Sequence, residues 1–169
     1  MSRPVIYCFK ASHAGAIQSE ECTIKFWQPS RLSLRPPGKP AKYAIYTAYK
    51  KIGIFKNPFY YHVSCVKSEV RVSSMLVVPA HYVWPFMGRC DVQFTYVMTD
   101  SRNTGRGYAS ALLRSVIIAL ESKVDKIWYV TNEKNEASIA LAKKLGFNFC
   151  GFGKRRGRLF KRLQLDGNI

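Results

Sequence analysis

The feature that most constrains this chain is the junction around residues 99–108, where an alternating, β-like run meets a long amphipathic helix across Arg102-Asn103-Thr104-Gly105-Arg106-Gly107. Upstream, Asp91 to Met98 reads as a strand. Downstream, Gly107 to Lys123 places Ala109, Leu112, Leu113, Val116, Ile117 and Leu120 on one helical face, which must lie on a sheet. Such a junction aims successive backbone N–H groups and the positive end of the helix dipole at one spot. Glycine at 105 and 107 lets the backbone approach an oxyanion without a Cβ in the way, and Arg102 and Arg106 add countercharge, so the turn predicts a phosphate site. The spacing is neither the G-x-G-x-x-G of a dinucleotide fold nor a Walker loop, because no G-K-[ST] follows.

The rest of the chain supplies the elements around this junction. Thr23 to Trp27 alternates like a strand and stops at Pro29; Arg31 to Pro40 holds Arg31, Arg35, Lys39 and three prolines and reads as a basic, stiff loop. Ala41 to Lys51 predicts a short helix whose tyrosine face, Tyr43 and Tyr46, suits either a core or the wall of a substrate pocket. Tyr60–Val66 and Val70–Val78, joined by Lys67-Ser68-Glu69, predict an antiparallel hairpin ended by Pro79; His81 to Gly88 predicts an aromatic loop. A buried strand at Ile127–Thr131 precedes a helix at Glu136–Leu145, with Ile139, Leu141 and Leu145 inward and Gly146 as its stop. Phe147–Phe152 and Arg158–Leu163 read as final strands. The 169 residues form one domain, 1–169, within which residues 1–40 combine a strand with the basic loop.

Bulk properties bound the function. Met1 to Lys10 is too short in apolar residues for a signal-peptide core, and Val116-Ile117-Ile118-Ala119-Leu120 falls far short of a membrane span. Cys8, Cys22, Cys65, Cys90 and Cys150 are odd in number and widely separated, which argues against a disulfide framework and a zinc cluster and for a reducing cytoplasm. His13, His62 and His81 show no metal-ligand spacing, so no metal is expected. A formal charge of +17 favours anionic partners: a nucleotide, CoA, nucleic acid or an anionic lipid surface.

Taken together, Arg102-x-x-Gly105-x-Gly107 and the later Asn135-x-x-Ser138 with Leu145-Gly146-Phe147 resemble the GNAT superfamily of acyl-CoA N-acyltransferases, over roughly Asp91 to Phe152. The resemblance implies a mixed α/β (α+β) fold with a central six- to seven-stranded sheet flanked by helices. It implies acetyl-CoA, or another short acyl-CoA, as co-substrate, with its pyrophosphate on Arg102 to Gly107 and the following Tyr108 and Ala109. Backbone groups of Tyr96, Val97, Met98 and Thr99 would bond the pantetheine arm like an added strand, and Asn135 and Ser138 would complete the groove. Pro85-Phe86-Met87 followed by Asp91-Val92-Gln93 also resembles a subgroup from bacterial surface-polysaccharide gene clusters, which implies an amino sugar as acceptor.

Amine acylation needs a neutral nucleophile, and an alkyl ammonium has a pKa of ~10, so a base is required. Asp91, eleven residues before Arg102, is the first candidate by the offset that some family members use; a strand-start residue without a catalytic task is the competing reading. His62 and His81 are reserve bases. Many members protonate the leaving thiolate with a Tyr seven residues after the Asn, where this chain has Ala142; Tyr96 or Tyr108 takes that role, or the thiolate leaves unassisted.

These features lead to an N-acetyltransferase acting on an anionic small molecule such as a nucleotide-linked amino sugar. Two other readings stand beside it: a GNAT-like enzyme acylating a nucleic-acid-linked amine such as charged tRNA, and a non-catalytic RNA- or membrane-binding module on the same scaffold. The run Lys154-Arg155-Arg156-Gly157-Arg158-Leu159-Phe160-Lys161-Arg162 is either an anion grip or a solvated edge strand blunted by charge. Monomer and homodimer are both open.

Overall fold

The computed structural model describes residues 3–10, 22–30, 33, 35, 36, 43–156 and 162–166. Eight strands form one sheet: β1 (Pro4–Lys10), β2 (Thr23–Trp27), β3 (Tyr61–Lys67), β4 (Val70–Pro79), β5 (Val92–Thr99), β6 (Lys126–Asn132), β7 (Asn148–Arg156) and β8 (Arg162–Asp166), in the spatial order β2-β3-β4-β5-β6-β1-β7-β8. The helices are α1 (Ala44–Lys51), α2 (Tyr108–Leu120) and α3 (Glu136–Lys144). All neighbours pair antiparallel except β5 and β6, which are parallel and are joined through α2. This is the mixed α+β architecture expected, with eight strands in place of six or seven.

Alternation along the strands divides two apolar layers. Val63, Met75, Val77, Val92 and Phe94 join Leu112, Leu113, Val116 and Ile117 of α2 in the larger core. On the opposite face, Leu76 and Val78 meet Tyr43 and Tyr60, while Ile6 and Trp128 meet Met87 and Leu163. Residues 81–88, the expected aromatic loop, cover this second face and are tied to β8 by the Leu163 N–H donating to the Val83 carbonyl at 3.0 Å.

Helix α3 ends where Gly146 takes φ +81°; the Phe147 N–H returns to the Ala142 carbonyl at 3.0 Å, closing the last turn. The expected inward set packs on the core and gains Ala142. Ala142 is fully buried, Leu145 is buried, and Ile139 and Leu141 are half-buried against the core. In α2 the buried set is Tyr108 with Leu112, Leu113, Val116, Ile117 and Leu120; Ala109 is half-buried.

The sequence assigns no element to residues 4–10; they form β1, which sits between β6 and β7, with Tyr7 opposite both Tyr129 and Phe149. Two sequence expectations are corrected. The last strand is Arg162–Asp166, further along than Arg158–Leu163; residues 157–161 lie outside the described residues, as does most of the basic loop 31–40. Cys22 and Cys65, 43 residues apart, are disulfide-bonded between neighbouring strands, with Cα atoms 5.9 Å apart. Strand pairing brings together cysteines that are distant in sequence, so the cysteine argument for a reducing compartment loses this pair. Cys8, Cys90 and Cys150 are free thiols. No helix among the described residues is long and apolar enough to cross a membrane.

Candidate active site

The site originates in a mismatch between two parallel strands. β5 and β6 pair at Val92–Ile127, Gln93–Trp128 and Phe94–Tyr129, and then part, although β5 runs on to Thr99 and β6 to Asn132. On its other side β5 carries a bulge: Ser74 opposes Met98 and Leu76 opposes Thr95, so the pair Tyr96–Val97 faces Met75 alone. Tyr96 absorbs the extra residue at φ +50°, a left-handed conformation unusual for a tyrosine. The bulge resets the alternation. Gln93, Thr95 and Tyr96 line the α1 side of the sheet, whereas Phe94 and Val97 face the α2 core.

A groove of about 490 Å³ runs between α2 and α3 on the second of these faces. It is lined by Val97, Thr99, Asn103, Thr104, Gly105, Gly107, Tyr108, Ala109, Asn135 and Ser138, ten of the fourteen residues expected to hold the co-substrate. Lys144 adds a cation at its rim. Tyr96, Met98, Arg102 and Arg106 are the four that do not line it; Tyr96 and Met98 are exposed, and the Arg102 Nε lies 3.3 Å from the Asp100 carboxylate.

Local chemistry shapes the phosphate turn. Asp100 Oδ1 accepts from the Arg102 N–H at 3.1 Å and starts one 3-10 turn, Ser101–Asn103; the Thr104 hydroxyl donates to the Ser101 carbonyl at 3.0 Å. Hydrogen bonds from the Arg102 N–H and from its guanidinium hold the half-exposed Asp100 carboxyl below its usual range. Gly105 and Gly107 take φ +75° and +82°, and a Cβ added at either would meet nothing within 4 Å. Internal crowding therefore does not demand glycine here; the backbone conformation does, and it leaves open space above the turn. The first N–H groups of α2 point into that space without intrahelical acceptors. The residues fit a pyrophosphate.

At the head of α3, Asn135 caps the helix by accepting from the Ser138 N–H at 3.1 Å. The Tyr129 hydroxyl donates to Ser138 Oγ at 3.3 Å, reaching the gap where β5 and β6 part; Tyr129, Tyr96, Thr95, Asn135 and Ser138 line a small cavity of about 190 Å³ there. Burial raises the Tyr129 pKa and outweighs the opposing bond to Ser138. Sequence reasoning missed Tyr129. It reads as one more apolar residue of a buried strand, and only the splay gives its hydroxyl a destination.

The expected catalytic residues are placed differently from one another. Asp91 is buried, its Oδ2 accepting from the Gly88 N–H and from Trp128 Nε1, each at 2.7 Å. It lines neither groove. Tyr108 is buried under α2, and its hydroxyl accepts from Lys67 Nζ at 3.1 Å. Tyr96 alone stands at the splay, its ring 5.2 Å from Tyr43 and 6.2 Å from Tyr46 of the α1 segment. His62 is buried on β3, while His81 is buried among rings with Nδ1 2.9 Å from the Pro79 carbonyl oxygen; neither lines a groove.

A second, wider groove of about 830 Å³ opens on the α1 side of the same splay. Tyr46, Trp84 and Tyr96 give it aromatic walls, Gln93 and Thr95 its floor, and Arg3 and Lys154 its far rim. Arg3 is shared between Glu133, at 3.3 Å, and the face of Phe152, at 4.3 Å. No carboxylate or histidine lines this groove among the described residues. Nor do the described residues gather three metal-ligating side chains.

Two grooves thus flank the place where the parallel strands part, one of them headed by a glycine turn and a helix N-terminus, and the small cavity at the splay shares lining residues with each. The chain belongs to the acetyltransferase (GNAT) family: the profile of the Acetyltransferase (GNAT) domain matches residues 44–148. Members of this family use acyl-CoA co-substrates. Solved structures share the fold. A putative GNAT-family acetyltransferase from Novosphingobium aromaticivorans aligns at 14% identity and TM-score 0.59, over 90% of this chain and 62% of that one. The ribosomal-protein-S18-alanine N-acetyltransferase from Escherichia coli aligns at 16% identity and TM-score 0.53, over 83% of this chain and 88% of that one. A functionally unknown conserved protein from Staphylococcus epidermidis aligns at 10% identity and TM-score 0.56, with this chain spanning 59% of its length. At such identities the likeness is one of fold. No curated protein sequence matches the chain.

Proposed function

We propose that this protein transfers an acetyl group from acetyl-CoA to the amine of an anionic small molecule, of which a nucleotide-linked amino sugar is the type. The observation that carries this reading is that the α2–α3 groove and the wider groove flank the β5–β6 splay, where a small cavity shares Val97, Asn135 and Ser138 with the first and Thr95 and Tyr96 with the second. The Arg102–Gly107 turn and the first turn of α2, with Tyr108 and Ala109, would hold the pyrophosphate, and Arg106 would add charge from outside the groove. Val97, Met98 and Thr99 present a backbone edge that β6 no longer pairs, suited to the amides of the pantetheine arm. Asn135 and Ser138 close the other wall.

Acetyl-CoA supplies an activated thioester. The acceptor nitrogen, entering from the wider groove, attacks its carbonyl carbon; the C–N bond forms, the C–S bond breaks, the nitrogen gives up a proton and the thiolate gains one. A backbone N–H near Val97 or Met98 would receive the developing oxyanion. For the thiolate we assign Tyr129 as acid, since burial keeps its hydroxyl protonated at the gap and its O–H can turn from Ser138 Oγ to the sulfur, with Tyr96 as the alternative donor. The nitrogen's proton would reach Asp91 only by way of Oδ1 and water, because Oδ2 is committed to Gly88 and Trp128. A cytoplasmic location, where acyl-CoA is at hand, goes with this reading.

The test is direct binding. Acetyl-CoA should raise the thermal midpoint and bind in calorimetry, whereas Gly107→Asp, which puts a carboxylate where the phosphates would sit, should bind at least tenfold more weakly. Equal binding by the variant and the wild type, or no binding by either, would remove the reading.

A further inference from the structure

The floor of the wider groove holds a group that the transfer chemistry does not use. Gln93 is 2% exposed, lines the groove from β5, and its Oε1 has no hydrogen-bond partner. A buried amide oxygen without a donor destabilises a fold, and proteins seldom retain one without a reason. The neighbours show why the fold does not answer it. Across the parallel ladder Gln93 faces Trp128, whose only side-chain donor, Nε1–H, is spent on Asp91. Across the antiparallel ladder it faces Val78, which has none. On the same face, Asp91 just before β5 offers only an acceptor already held by two donors, and the Thr95 hydroxyl that follows makes no hydrogen bond to Oε1.

We propose that Gln93 is a specificity-determining residue of the acceptor groove, its Oε1 accepting a hydrogen bond from an O–H or N–H on the body of the acceptor. This rests on the acetyltransferase reading above and narrows it. Gln93 lies three residues before the Tyr96 bulge, about 10 Å along the strand. The group it meets therefore lies on the body of the acceptor, set back from the reacting nitrogen, while the rings of Trp84 and Tyr46 offer apolar walls beside it. The acceptor class is a hydroxylated or amide-bearing amine; a bare alkyl amine would leave Gln93 buried and unanswered, which is how a site built for a donor rejects an analogue that lacks it.

The test compares wild type with Gln93→Leu and Gln93→Met, both close in volume and unable to accept. Two probes are used: glucosamine 1-phosphate, and 2-aminoethyl phosphate, which keeps the amine and the phosphate but has no ring hydroxyl. Wild type should favour the sugar by about tenfold in kcat/KM, and both variants should lose that preference through KM. The free variants should melt no lower than wild type, and up to about 2–4 °C higher, because an unanswered polar group has been removed. Acetyl-CoA affinity should not change. A retained preference, or a lowered melting temperature in both variants, would make Gln93 a structural residue and overturn the proposal. A wild type that binds acetyl-CoA yet shows no preference, or acetylates neither probe, would also overturn it while sparing the acetyltransferase reading; failure to bind acetyl-CoA would strike that reading first.

Discussion

At the scale of single residues, the same side chain can carry a structural and a chemical task, and substitutions separate them. Asp91 joins the 88–91 turn to Trp128 of β6 through two short bonds to one buried oxygen. Hydrogen bonds to a charged acceptor contribute about 1.5–3 kcal/mol each, so Asp91→Ala should lower unfolding free energy by about 3 kcal/mol or more, read by urea denaturation. Asp91→Asn keeps an acceptor oxygen of the same shape. If the carboxylate also takes the acceptor's proton, this variant slows thiol release at nearly unchanged acetyl-CoA affinity; unaltered rates across the pH range leave Asp91 structural only. Tyr129→Phe should slow thiol release about tenfold or more at unchanged acetyl-CoA affinity, and a full-rate variant would pass the acid's role to Tyr96. Neither Tyr129 nor Gln93 was legible as a site residue. In the sequence each is one position in a largely apolar strand; what singles out Tyr129 is the parting of the strands just beyond it, and what singles out Gln93 is a buried oxygen that no donor reaches.

At the scale of elements, legibility followed the range of the interactions. Helices α2 and α3 and the β3–β4 hairpin are specified by neighbours a few residues apart, and their reading from apolar period, turn residues and Gly146 matches the structure within a few residues. β1 was not read as a central strand because its partners, residues 126–132 and 148–152, lie far along the chain. Local pattern holds no trace of that pairing. Removing residues 1–10 should therefore leave β6 and β7 without their shared neighbour and yield insoluble protein, whereas an edge strand would be dispensable. The 81–88 segment gives a pH dependence. His81 is buried among Tyr49, Phe55, Tyr82 and Trp84, and burial, helped by Lys56 and opposed by the Pro79 bond, lowers its pKa. A lowered folded-state pKa means that the unfolded chain takes up the proton first. The stabilisation is thus complete above the ordinary histidine pKa of about 6.5 and is lost as pH falls through the lower folded value. Melting of the wild type should drop between about pH 7 and pH 5 more than that of His81→Phe; parallel curves would exclude His81 as the cause.

At the scale of the whole molecule, the +17 charge needs an assignment to place as well as to amount. Surface pairs such as Lys25–Glu69 and Arg102–Asp100 absorb little of it and are each weak in energy. The structure distributes two cations in a way the linear sequence conceals: Lys144 rims the α2–α3 groove, and Lys154, the first residue of the basic C-terminal run, rims the wider groove on the opposite face. If the first groove holds acetyl-CoA and the second an anionic acceptor, the two lysines should act on different substrates. Lys144→Ala should raise KM for acetyl-CoA, and Lys154→Ala that for glucosamine 1-phosphate, each severalfold at low salt and each leaving the other constant unchanged. Both effects should fade as salt rises from about 0.05 M to 1 M, since the screening length falls to about 3 Å at the upper limit. Initial rates with both substrates varied at each salt concentration decide the matter. Crossed effects would invert the assignment of the grooves. If Lys154→Ala changes neither constant but weakens retention on single-stranded RNA, with affinity falling steeply in salt, then the charge serves a nucleic-acid partner and the amine being acylated is carried by that partner.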